Sequence, residues 1–221
     1  MLFLLLAFWF SPCGCKDRKS EASSPTPNTT SPAGDDSTGG GTIDVSASAS
    51  TSDASLRPRD DLPGLSNFAK VSDVLYRGAQ PTAEGFRTLK GMGIKTVINL
   101  RLTHSDRALL AGTGLQYAHI AAAAWHPEDE DIVRALRIIR DSAHQPVFVH
   151  CQHGADRTGV TIAAYRIVEQ GWSIGDAANE LPNFRFHPIW SDILAYLQKF
   201  DRSKLERRLA AMAPVELETI P

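Results

Sequence analysis

The residues best equipped for chemistry lie together in HCQHGADRTG, residues 150–159. A cysteine there precedes a glycine by three positions and an arginine by six. Gly154 in a tight loop lets the backbone N–H groups of Gln152, His153, Gly154, Ala155, Asp156 and Arg157 converge on one point. A helix beginning near Thr158 adds its own unpaired N–H groups and the positive end of its dipole. Together these form an anion cradle of phosphate size. The planar fork of Arg157 can grip two phosphate oxygens, which a lysine cannot do. Cys151 sits at the bottom of this positive field, which favours a thiolate over a thiol. A thiolate beneath a bound phosphate is placed for in-line attack on phosphorus. The cradle and Arg157 then stabilise the equatorial oxygens of the transition state. Thr158 can donate its hydroxyl to the sulfur. His150 is expected to hydrogen-bond backbone and hold the loop's shape rather than touch substrate.

Elements must hold this loop. PVFVH, residues 146–150, is a short aliphatic run typical of a strand buried on both faces, and it ends at Cys151. TGVTIAAYRIVEQG follows as a helix with an apolar face, stopped by Gly171. Upstream, residues 74–76 and 94–100 and the run LQYAHI read as strands. A helix capped by Thr82 runs to about Lys90, SDRALL opens another, and Pro127 with the acidic cluster after it starts a third that runs to about Arg140. Ser173 caps SIGDAANEL, and HPIWSDILAYLQKF is a last amphipathic helix continued by SKLERRLAA. Strands alternating with helices predict an α/β domain with a mostly parallel central sheet flanked by helices. Ligands in such sheets sit beyond the carboxyl ends of the strands, where Cys151 lies.

The stretch resembles the signature H-C-x-x-G-x-x-R-[ST]-G of the cysteine-based tyrosine phosphatases at His150, Cys151, Gly154, Arg157, Thr158 and Gly159. FAKVSDVLYRGAQPT, GIKTVINLR and WHPEDEDI extend the likeness over roughly residues 65–200, toward bacterial dual-specificity-type and phytase-like phosphatases. The resemblance implies a tyrosine-phosphatase-like fold, a phosphocysteine intermediate, and no metal or other cofactor. It also implies a general-acid Asp on a loop some thirty residues before the cysteine. This chain departs from that pattern, because residues 121–124 are all alanine. Two sets of carboxylates compete for the part. One is Asp156, immediately before Arg157, which could instead make an ion pair or brace the loop. The other is Glu128, Asp129 and Asp131, for which helix capping is the plainer explanation. A substrate with an acidic leaving group could dispense with an acid.

Other residues carry weaker signals. Arg77 and Arg101 end strands and could rim the pocket or serve as ion-pair partners. Trp125 and His126 are expected along one wall, and His187 and Trp190 in the core or on the surface. His150, Cys151 and His153 are too close in sequence for a tetrahedral metal site. A rhodanese-like sulfurtransferase also places a cysteine in an anion-binding loop after a strand, but the arginine at this spacing followed by Thr-Gly favours phosphate chemistry. A phosphate-binding module without turnover is the third reading.

The chain has 221 residues with 23 Lys and Arg against 25 Asp and Glu, so no nucleic-acid partner is implied. The expected partner is a small phosphorylated substrate or a phosphoprotein, with the protein acting as a monomer. Residues 1–19 read as an export segment. MLFLLLAFWF is too short to span a bilayer and fits the apolar part of a signal, although no basic residue precedes it. Gly14-Cys15 resembles a lipoprotein processing site, so a lipid anchor through Cys15 is one expectation and simple secretion another. Either places the protein in the periplasm or at a membrane. Residues 20–61 read as a disordered tether: of the 36 residues from 20 to 55, 23 are Ser, Thr, Pro or Gly. Residues 62–221 form the expected phosphatase domain, with Cys151 its one cysteine.

Overall fold

A computed structural model describes residues 56–221. The expected export segment, Cys15 and the tether up to residue 55 lie outside them. Arg59 forms a β-bridge with Phe68, and Leu56 packs against the core.

Among the described residues, six strands form one sheet: β1 (Ala69–Lys70), β2 (Leu75–Gly78), β3 (Thr96–Asn99), β4 (Gln116–His119), β5 (Val147–His150) and β6 (Glu218–Thr219), in the order β1-β2-β5-β3-β4-β6. The four central strands run parallel, and β1 and β6 close the edges antiparallel. The edge strands are only two residues long, which is why periodicity in the sequence does not reveal them. β3 and β5 are buried at every residue, as aliphatic runs between two helical layers must be.

Helices α1 (Ala83–Gly91) and α2 (Arg107–Leu110) cover one face, where Phe86, Leu89 and Leu110 pack on Val97 and Phe148. The other face carries α3 (Asp129–Arg140), α4 (Asp156–Glu169), α5 (Ile174–Glu180), α6 (Ser191–Gln198) and α7 (Arg202–Ala211). Thr82 and Ser173 cap α1 and α5 as their sequences suggest, each accepting a backbone N–H three residues on. The expected continuous last helix breaks between Gln198 and Arg202. Asp201 starts α7 afresh by accepting the Lys204 N–H.

α4 is the central helix of the domain. All of its residues except Arg157 and Glu169 are buried, so the expected single apolar face is in fact burial all round. Gly159 makes this possible, since a Cβ there would stand 2.5 Å from Leu181 Cδ2. Arg166, a cation inside this layer, is matched by Glu180 at 2.6 Å. With α4 fixed by its neighbours and β5 by the sheet, the loop between them has both ends anchored.

Candidate active site

The loop from Cys151 to Arg157 joins the carboxyl end of β5 to the first turn of α4. Cys151 is buried, a free thiol. What shapes the loop is the fate of its carbonyls. Gln152 O accepts from the Gln80 N–H at 3.3 Å, and Ala155 O accepts from the Gly159 N–H at 2.7 Å. His153 O accepts from Asn67 Nδ2 at 2.9 Å, and Gly154 O from Arg77 Nη2 at 2.8 Å. Cys151 O lies 3.4 Å from His150 Nδ1. Five consecutive carbonyls are thus tied back to the scaffold. None of the N–H groups from Gln152 to Arg157 donates to another group among the described residues. A loop whose oxygens all face outward presents its N–H groups inward, which is the condition for holding an anion.

Two further donors at the same place pair with no protein atom: Thr158 Oγ1 and Arg157 Nε, both buried. The Arg157 fork makes only long contacts, 3.4 Å to Leu100 O and 3.5 Å to Ala122 O. An oxyanion in the cradle would give these groups the acceptors they lack.

Gly154 has φ +67°, and a Cβ on it would lie 2.4 Å from the Gly78 carbonyl. Gly154→Ala therefore meets β2 backbone as well as an unfavourable dihedral. The dihedral alone costs about 1–3 kcal/mol. Thermal melts should show a lower midpoint, and phosphate or vanadate titrations weaker binding. An unchanged affinity would mean the loop does not need this close approach.

Several supports of the loop escaped the sequence reading. Arg77 does not rim a pocket. It is fully buried, stacks its guanidinium 3.6 Å from the Phe184 ring centroid, and has its pKa pushed down to about 10 by burial, with the Glu180 carboxylate opposing. Asn67, buried with φ +49°, clamps both His153 O and Phe184 O. Asp106 precedes α2 without capping it. Its carboxylate comes within 2.9 Å of His150 Nε2, both side chains being wholly buried, although the approach lies off the hydrogen-bond direction. Arg101 hydrogen-bonds Gln80 and so stands behind the pocket edge.

The candidate acids separate clearly. Asp129 is taken up by α7 and α6: Lys204 lies at 2.6 Å, Arg208 at 3.4 Å and the Tyr196 hydroxyl at 2.9 Å. Burial pushes its carboxyl up, but these partners outweigh it and hold the group below the usual carboxylate range. Asp131 is shifted upward, by burial first and then by Glu128, with Arg134 opposing. It lines a small cavity of about 10 Å³ with Arg157, Leu100, Ala122, Ala123 and Glu128. Asp156 is buried and engaged. Its Oδ1 accepts the His187 N–H at 2.9 Å, and its Oδ2 lies 2.9 Å from His187 Nδ1. This is the bracing role weighed against acid catalysis for that residue.

His187 lies beside the loop with its side chain 45% exposed, at the surface rather than in the core. It lines a cavity of about 330 Å³ with Gln80, Gln152, His153 and Arg185. Trp125 and His126 do not form a wall of it: Trp125 is exposed, and His126 lines a separate cavity beside Tyr196 and Lys204. Ligand atoms of His153, Asp156 and His187 all lie within 4.8 Å of one another, a set that could hold a divalent ion. Reading the sequence near Cys151 alone could not find it, because His187 comes from the segment between α5 and α6.

A parallel strand ending in a cysteine, an N–H cradle, and an arginine at the start of the next helix define the cysteine-based tyrosine and dual-specificity phosphatase superfamily. The chain belongs to the tyrosine phosphatase family, whose family model matches residues 64–217, and it is a phosphatase. It is 31% identical over 147 residues to the dual specificity protein phosphatase TpbA of Pseudomonas aeruginosa, covering 65% of this chain and 67% of that one. It is 26% identical over 149 residues to the inositol diphosphatase DSP2 of Oryza sativa, covering 63% of this chain and 72% of that one. A cysteine-to-serine variant of TpbA solved in complex with pTyr superposes with a TM-score of 0.62 at 29% identity, covering 71% of this chain and 97% of the other. The catalytic core of the PP-IP phosphatase Siw14 of S. cerevisiae shares the fold, with a TM-score of 0.60 at 24% identity over 68% of this chain and 94% of that one.

Proposed function

We propose that the chain hydrolyses phosphomonoesters through a phosphocysteine intermediate, with phosphotyrosine-like or inositol-phosphate-like substrates. The observation that carries this is the loop itself. Five of its carbonyls are taken by neighbouring groups, which leaves its N–H groups free for an anion beside the buried Cys151. Cys151 Sγ attacks phosphorus in line, the ester P–O bond breaks, and the phosphoryl group passes to sulfur. Arg157 and the N–H groups of Gln152, His153, Gly154, Ala155, Asp156 and Arg157 take the charge on the equatorial oxygens. Thr158 Oγ1, buried and unpaired, is available to the sulfur when water releases the phosphate. His150 and Arg77 act on the loop, not on the substrate.

The large cavity favours small, highly charged substrates. Arg185, His153 and His187 line it beside the cradle, where a second anionic group of the same molecule would lie. The names of the relatives, a dual specificity phosphatase and an inositol diphosphatase, support the same two substrate classes. The test is phosphate release by the full chain, in EDTA, from p-nitrophenyl phosphate, a phosphotyrosine peptide and phytate. Release from phytate faster than from the peptide is expected. No release from any of the three would refute the reading.

The protein is further proposed to be exported, with Cys15 as the acylated residue. Globomycin should then cause an unprocessed precursor to accumulate in the native host. Normal processing in its presence would exclude the lipid anchor.

A further inference from the structure

An in-line reaction places the leaving oxygen opposite Cys151, away from the floor of the loop. An organic leaving group needs room there. Two cavities border the loop: the one beside Arg157 holds about 10 Å³ and the one beside Gln152 and His153 about 330 Å³. The second has the room an organic leaving group needs. The carboxylates on the Arg157 side, Glu128 and Asp131, line the small cavity, and Asp129 is occupied by Lys204, Tyr196 and Arg208. Ala122 and Ala123, on the same side, have no proton to give.

The large cavity does hold a proton donor with a fixed geometry. His187 is partly exposed into it, while its Nδ1 faces Asp156, 2.9 Å from Oδ2 and 3.1 Å from Oδ1. Asp156 is itself fixed by burial in the first turn of α4 and by the His187 backbone N–H. With Nδ1–H donated to the carboxylate, Nε2 is the nitrogen left to give and take a proton. A buried carboxylate behind an imidazole orients the ring and leaves its far nitrogen free for proton transfer. The His153 ring packs edge-on against His187, with centroids 5.3 Å apart, and restricts it on the loop side.

We propose that His187, oriented by Asp156, is the proton donor to the leaving group. This rests on the phosphocysteine reading above. As Sγ bonds to phosphorus, the P–O electron pair passes to the leaving oxygen. That oxygen takes the proton from His187 Nε2, giving the free alcohol and a neutral imidazole. In the second step Nε2 removes a proton from the attacking water. The S–P bond then breaks, its electron pair returns to sulfur, and phosphate leaves. The cycle closes with His187 protonated again. Asp156 is a positioning residue that touches no reacting atom.

Leaving groups of different acidity test this, because a proton donor matters most when the leaving oxygen is basic. The full chain is assayed in EDTA on p-nitrophenyl phosphate and on phenyl phosphate, alongside His187→Gln, His187→Ala, Asp156→Asn, His153→Gln and Asp131→Asn. His187→Gln should lower kcat/KM for phenyl phosphate by about 10²–10⁴-fold, well beyond its effect on p-nitrophenyl phosphate. Asp156→Asn should show the same selectivity at smaller size, in kcat and not in KM. Added imidazole should partly restore His187→Ala on phenyl phosphate. Equal losses on both esters would make His187 structural and overturn the proposal. So would a selective loss in His153→Gln or Asp131→Asn but not in His187→Gln. Parent activity that EDTA abolishes and Zn²⁺ restores would also overturn it, making His153, Asp156 and His187 metal ligands. If the parent hydrolyses neither ester, the phosphatase mechanism itself fails, whichever variant is measured.

Discussion

Cys151→Ser is expected to lower turnover by roughly 10⁴–10⁶-fold, the scale on which removal of an enzyme's nucleophile reduces kcat. The serine hydroxyl has no adjacent base, and a neutral alcohol is a poor nucleophile toward phosphorus. Binding should survive. The cradle is built from backbone N–H groups whose carbonyls are held by Gln80, Asn67, Arg77, His150 and Gly159, none of which the substitution touches. Calorimetry with a slowly hydrolysed ester should therefore give a dissociation constant close to the parent's while steady-state assays show almost no release. A variant that retained turnover would mean that water attacks phosphorus directly.

Arg157→Ala is the second large effect, expected at about 10³–10⁵-fold in kcat, in line with arginines that bind a transferring phosphoryl group. The guanidinium is spare in the absence of substrate. Its Nε has no partner, and its Nη1 contacts with Leu100 O and Ala122 O are at the limit of hydrogen bonding. Little holds it away from an incoming phosphate, and its removal costs the fold little. Arg157→Lys should recover only part of the loss, since an ammonium keeps the charge but not the fork. Measurement of kcat and KM separately checks this: the transition-state role predicts a fall in kcat larger than any rise in KM. A loss confined to KM would make Arg157 a simple anchor.

The centre of the site was legible because it is local. Strand, loop and helix are contiguous, so the spacing of Cys151, Gly154 and Arg157 carries most of the geometry, and the aliphatic runs at β3 and β5 carry the sheet. What holds the loop was not legible, because it arrives from far away in the chain. Asn67 reaches His153 across 86 positions and Arg77 reaches Gly154 across 77. No periodicity or spacing marks such contacts. Asp106 illustrates the difficulty: it sits at the start of α2, yet its carboxylate turns inward to His150. His187 lies in FRFHPIW, a segment with no motif of its own, and gains its meaning only when Asp156 is found beside it. The edge strands pair over only two residues each, and the break before α7 rests on a single cap, both below the reach of an apolar pattern.

The most direct test of the central claim is to quench the full chain during turnover of p-nitrophenyl phosphate in the absence of metal and locate the phosphoryl group by mass spectrometry. One phosphoryl group is expected on the peptide carrying Cys151, formed in the burst and lost as product appears. Continued phosphate release with that peptide unmodified at every quench time would contradict it.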